Sequence, residues 1–303
     1  MKKIFIIIMI VAISSTNIFA QETEKQTPKK DYTSKDDEGF YFANHLLGRW
    51  NHFGVLYQGQ LFYKKALFRE KNNFFFAQSH LTVGLEQEFS TFSRTSAYVV
   101  FQPLIALNFL FKVTYETAFA ESAKPVLADD SRVFNYALPP FTGLNPMTKK
   151  PQYVGKDSVQ VQFAPMLTIG GPAGPGLIAL IYQPFITYIN VLGVNKNDYY
   201  YLTRDAIVVK GEDVWFNHDI KLGYALSSLG MSFAINSTIE HMLSQKDLFR
   251  VGLFAAYSYK KSLDAVPSLT PFLNVKMGTW LVEKHLQYKF AIQLDTGLEW
   301  KFY

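Results

Sequence analysis

The residues from 286 to 303 alternate almost without interruption between apolar and polar side chains. One phase reads Leu286, Tyr288, Phe290, Ile292, Leu294, Thr296, Leu298, Trp300 and Phe302. The other reads Gln287, Lys289, Ala291, Gln293, Asp295, Gly297, Glu299, Lys301 and Tyr303. Successive side chains of a strand point to opposite faces, so this pattern predicts a strand with one apolar and one wet face. Its length exceeds that of an ordinary globular strand and suits a tilted stave crossing a bilayer. A chain that ends this way needs a fold in which such a strand leaves no open edge.

Similar segments recur upstream, separated by turn chemistry. The first sets Phe53, Val55, Tyr57, Leu61 and Tyr63 against Gly54, Gln58, Gln60 and Lys64. A second runs from Ala77 to Glu86, and a third, aromatic and less regular, from Thr95 to Gln102. The fourth sets Leu107, Phe109, Phe111, Val113 and Tyr115 against Asn108, Lys112, Thr114 and Glu116. Strand signals resume at Val159 and continue through the apolar stretch Leu177–Val194. Gln183, Pro184, Thr187 and Asn190 interrupt that stretch, which favours a strand of low polarity over a helix. Further segments fall near 197–210, 213–226, 229–242, 247–260 and 268–282.

The expectation is an all-β, closed antiparallel transmembrane barrel of about twelve strands, within a range of ten to fourteen. Counted back from the C-terminus, this assignment puts the Pro- and Asp-rich region 120–157 on the same side as the termini, where short turns belong. Either one strand is miscounted, or 120–157 folds into the lumen or forms its own hairpin; an extended extracellular hairpin over 190–215, instead of membrane staves, is a further alternative.

The N-terminus has Lys2 and Lys3, an apolar run from Ile4 to about Ile13, and a small residue at Ala20. This is the layout of a secretory signal over 1–20, and it is short for a membrane span. Residues 21–50 are expected to form a polar periplasmic lead-in, and 51–303 the barrel. The chain has no cysteine, which excludes a lipid-anchored lipoprotein, disulfides and thiol chemistry. Charged residues are 18% of the chain, against about 25% in soluble proteins. Mean hydropathy is nevertheless only +0.01, because each apolar face is diluted by a polar one. The net charge of +5 falls to +3 without Lys2 and Lys3, which gives no argument for a nucleic-acid partner.

Signal, absent cysteine, alternating segments and aromatic C-terminus together resemble the Gram-negative outer-membrane β-barrel superfamily over about residues 50–303. The resemblance implies a cell outer membrane location, contact with its lipids, and recognition of the terminal strand by the barrel-assembly machinery. Phe302 has the expected phase for that signal, and Tyr303 is one step out of it. Trp50, Trp215, Trp280 and Trp300 suit the aromatic girdles at the two membrane interfaces.

The polar phase assigns Glu86, Lys112, Glu116, Asp219, Lys221, Glu240, Arg250, Lys276, Lys289, Asp295 and Glu299 to the barrel interior. Both charge signs are interspersed. Such a set either lines a water-filled path for hydrophilic solutes or pairs into a network that fills the lumen. The reading adopted is a small porin-like pore, with a non-conducting structural or adhesion barrel as first alternative. A lipid-modifying enzyme is the second alternative. Catalytic chemistry finds little support: Ser79 and His80 are neighbours on opposite strand faces, and Asp129–Asp130, His218–Asp219 and His241 with Ser244 lack a suitable spacing. No metal-ligand spacing and no phosphate-binding loop is found, so no cofactor is expected.

Overall fold

A computed structural model of the chain describes residues 38–302, apart from 51–53, 69–75, 77–78, 91, 119–156, 194, 197–198, 203–206, 245–248 and 283–289. The signal and most of the lead-in therefore lie outside the described residues, as do Asp129, Asp130 and Lys289.

Twelve antiparallel strands close into one barrel. They are β1 (Gly39–Trp50), β2 (Gly54–Ala66), β3 (His80–Phe89), β4 (Phe92–Leu104), β5 (Leu107–Ala118), β6 (Asp157–Ala173) and β7 (Gly176–Val191). After a separate hairpin of β8 (Tyr199–Leu202) and β9 (Ile207–Lys210) come β10 (Glu212–Leu226), β11 (Met231–Met242), β12 (Phe249–Lys260), β13 (Leu269–Val282) and β14 (Phe290–Lys301). The apolar stretch from Leu177 to Val191 lies in β7, and no described helix is long and apolar enough to cross a membrane.

The expected strand number is correct, but its members are not. The supposed lead-in contains β1, so the barrel begins at Gly39 and not at 51. The segment 197–210 is no stave: it forms the short hairpin β8–β9 between β7 and β10. With this correction the side assignment closes. The strand ends joined by 119–156 and by 192–211 stand at the rim opposite the termini, hereafter the far rim. Those joined by 67–79, 105–106, 174–175, 227–230 and 261–268 stand at the rim that carries the termini.

The pleat separates two surfaces. Along β1, Tyr41, Ala43 and Leu47 are buried, whereas Phe40 and Leu46 are exposed. Register carries the buried phase around the barrel: Ala43 faces Gln60, Gln60 faces Glu86, Glu86 faces Ser96, and Ser96 faces Thr114. On the outer surface stand Val55, Leu61, Leu85, Val113, Leu222, Ile235, Leu253, Leu294 and Trp300, all exposed. Among the described barrel residues, the outward Lys, Arg, Asp and Glu are Lys65, Asp157 and Glu212, each at or next to a strand end. The wall between those ends carries no such charge, as a hydrocarbon solvent requires.

The barrel is sealed between β1 and β14, where His45 faces Gly297 and Leu47 faces Asp295. Gly297 is needed here. A Cβ at this position would collide with the Asn44 carbonyl oxygen on β1, and the Phe272 ring from β13 lies over the same spot. An aromatic ring from a neighbouring strand thus covers a glycine that lets two backbones approach. Gly297→Val is expected to abolish the compact, heat-modifiable species on gel electrophoresis. Gly48→Val on β1, where an added Cβ meets nothing within 4 Å, should retain that species.

Candidate functional site

The inward face is the only extended polar surface of the described barrel wall, and its side chains fall into tiers along the axis. The tier nearest the far rim is apolar. Ile189, Val191 and Met242 point inward and pack with Val209 of the hairpin, and Trp215 lies against them. Leu47, Leu56 and Phe92 form a second cluster from β1, β2 and β4. The hairpin is tied down by its backbone and by a carboxylate. Val191 N–H donates to Gly211 O at 2.8 Å. Asp213 accepts Lys210 N–H, at the end of β9, at 3.2 Å and Ser244 Oγ–H at 2.6 Å.

Below this lies a tier of buried charge. Arg94 reaches Glu116 at 3.3 Å and Glu88 at 3.6 Å, and donates to Gln160 Oε1 at 3.0 Å. Gln160 in turn donates to Glu116 at 3.4 Å, and the Ser96 and Thr114 hydroxyls meet at 2.9 Å. These residues come from β3, β4, β5 and β6, and the register sets them side by side. Across the barrel, Arg250 Nε donates to Glu240 at 2.9 Å while its guanidinium lies 4.9 Å from the centre of the Trp280 ring. Burial of these groups is affordable only because each charge has a counter-charge and hydrogen bonds.

The next tier is mixed. Lys112 pairs with Glu86, which also accepts Gln60 Nε2–H at 3.0 Å. Asp219 accepts the Thr238 hydroxyl at 2.7 Å, with Lys221 at 3.7 Å. Asp295 contacts His45 at 3.2 Å and accepts Asn274 Nδ2–H at 3.0 Å. Lys276 lies over the Phe254 ring at 4.5 Å. At the termini rim, Lys260 and Glu299 pair at 2.9 Å.

Burial changes along the axis. On β11, Met242, Glu240, Thr238 and Asn236 are buried, whereas Ala234 and Ser232 are half-buried. On β4, Phe92, Arg94 and Ser96 are buried, whereas Tyr98, Val100 and Gln102 are half-buried. On β5, Glu116 and Thr114 are buried, and Lys112, Leu110 and Asn108 are half-buried. The far half of the lumen is therefore packed, and the termini half admits solvent.

Glu86, Lys112, Glu116, Asp219, Lys221, Glu240, Arg250, Lys276, Asp295 and Glu299 all stand in the inward phase. Arg94 and Glu88, which hold the main charge cluster, were not expected. Arg94 shares its phase with Ser96, but the sequence signal for its strand began only at Thr95. The tryptophans also differ from expectation. Trp300 faces outward and is exposed, but Trp215 and Trp280 point inward. Both lie in the polar phase of their strands, two residues from Asp213 and Gly278, and fill lumen space instead of a girdle.

The suspected catalytic pairs do not assemble. His218 faces outward, where the Tyr182 hydroxyl lies 3.0 Å from Nδ1, while Asp219 faces the lumen. Ser244 is engaged by Asp213, and His241 stacks outside on Phe216 and His218 at 5.0 and 5.9 Å. Ser79 is buried beside the start of β3. No group of three His, Cys, Asp or Glu among the described residues is placed to hold a metal.

No family model matches the chain, and no curated protein matches it. Solved structures similar to it include the β domain of the Bordetella autotransporter BrkA, at 9% identity and a TM-score of 0.43, covering 88% of this chain and 100% of that one. The NanC porin follows at 8% identity, TM-score 0.40, covering 86% and 100%. The KdgM porin, in complex with disordered oligogalacturonate, has 7% identity and a TM-score of 0.39, covering 87% and 99%. Likenesses at this level assign no role. What the chain has is a closed barrel of twelve antiparallel strands with its charges inside.

Proposed function

We propose that this chain is an integral outer-membrane barrel whose exterior half is shut, so that it does not act as a standing pore. The termini rim faces the periplasm and the far rim the cell exterior, in keeping with the two longest connections, 119–156 and 192–211, lying outside. The observation that carries this reading is the axial change in burial. Glu116, Glu88 and Arg94 are at most 8% exposed, which a water-filled channel wall would not produce. The pore for hydrophilic solutes expected from the alternating charges requires these tiers to part. As they stand, the charges neutralise one another and leave no file of unpaired groups to carry an ion. The role falls instead to the exterior connections 119–156 and 192–211 as contact surfaces, and to the periplasm-facing half of the lumen.

Export by the signal over residues 1–20, removal after Ala20, and insertion guided by the terminal strand belong to the same proposal. The apolar outer wall then meets lipid directly. The test is conductance of the refolded, signal-free protein in a planar bilayer. Silence is expected, with folding verified by heat-modifiable migration. Discrete steps that scale with salt concentration would overturn the closed reading and restore the pore.

A further inference from the structure

The periplasm-facing half of the lumen holds a cavity of about 510 Å³ against the wall formed by β7 and β10–β14. Its origin lies in one row of the sheet. Ala179 faces Gly223, Gly223 faces Ala234, and Ala234 faces Ala256, so four adjacent strands place nothing larger than a methyl group on the lumen. The row continues to Lys276 and then Gln293. The result is a flat apolar shelf with an ammonium and an amide at one end.

The charges lining the cavity are Lys221, Lys276 and Asp295. Asp295 has both oxygens engaged, one by His45 and one by Asn274. Lys221 has Asp219 at 3.7 Å. Lys276 lies over Phe254, and among the described residues it has no ion pair. The cavity thus offers a cation with no carboxylate in ion-pair contact among the described residues, Asp219 and Glu240 acting on it only from farther away, beside apolar surface. A half-enclosed, mostly apolar space with a few convergent polar groups is the usual form of a small-molecule site.

We propose that this cavity binds a small amphipathic carboxylate, with its apolar body on the Ala179–Gly223–Ala234–Ala256 shelf and its carboxylate at Lys276. Gln293 donates to the second carboxylate oxygen, and Lys221 adds long-range attraction. A cation of the same shape is repelled. The size of the space suits a single ring or a short chain, reached from the periplasm.

The test uses the signal-free protein in phospholipid nanodiscs and follows 4-fluorobenzoate by fluorine NMR titration. Saturable binding to the native barrel is expected, with none for 4-fluorobenzylamine. Lys276→Met should weaken the benzoate by at least tenfold, and Ala234→Phe, which fills the shelf, should abolish binding. Lys65→Met, on the outer wall, should change nothing. Equal response to the acid and the amine would overturn the site, as would unchanged affinity in Lys276→Met. Should Lys276→Met not fold, retained binding in Ala234→Phe overturns it alone. Conductance steps in the bilayer experiment would remove the closed-barrel reading and leave this site standing.

Discussion

Replacing Arg94 with alanine is expected to cost ~3–5 kcal/mol of folding free energy, the largest effect of any single lumen substitution. The guanidinium stands between Glu116 at 3.3 Å and Glu88 at 3.6 Å, and both carboxylates are buried. Its removal leaves two buried charges of like sign without the cation between them. The penalty arises from burying those two carboxylates without the guanidinium between them more than from the lost attraction. Lys260→Ala provides the contrast. Its partner Glu299 is 2.9 Å away, but the lysine side chain is 54% exposed, so about 0–1 kcal/mol is at stake. Urea titrations in lipid vesicles, read by intrinsic fluorescence, would compare the two. Equal shifts would mean that the far half of the lumen is wet, and the closed reading would go with it.

The second large effect concerns the outer wall. Ile235 lies towards the middle of β11 and is 59% exposed on the surface assigned to lipid. Ile235→Arg should lose about 2–4 kcal/mol, because the charge must be dragged into hydrocarbon. Leu281 is equally outward-facing but next to the end of β13 at the far rim. An arginine there reaches the headgroups, and the expected loss falls to about 0–1 kcal/mol. Vesicle refolding titrations of both variants would show the depth dependence. Similar small losses in both would argue that this face is not embedded in a bilayer.

The fold was legible where one face is apolar and the other wet, and it was lost where both faces are apolar. β14 and β12 announce themselves for this reason. β1 does not: its inward residues include Tyr41, which stacks on Phe62 at 5.0 Å, and Leu47, packed with Leu56 and Phe92. Its interior phase is polar only at His45 and Arg49, and Asn44 interrupts its exterior phase, so period two is blurred. The hairpin β8–β9 is the converse, strand-forming residues too few to span a membrane. One stave missed and one wrongly added left the total unchanged while inverting the side of every connection before them. The interior was legible for charges, since an ionised group in this wall can only point inward. Trp215, Trp280 and Phe254 were not, because a filled lumen accepts rings in the polar phase. The partnerships Arg94–Glu116 and Arg250–Glu240 follow from register, which no single strand encodes.

The seam between β1 and β14 also governs the order of folding. The contact between His45 and Asp295 joins residues 250 positions apart, whereas every other pairing of the barrel joins strands that follow one another along the chain, with β8–β9 set aside. Those eleven pairings can form in sequence, but the twelfth waits until the last strand has arrived. Until then two unpaired edges, one from each terminus, present open hydrogen-bonding groups to any strand that passes. The hazardous species is thus an open sheet, and it can close only because Gly297, already beneath Phe272 of its neighbour, leaves room for the backbone of β1.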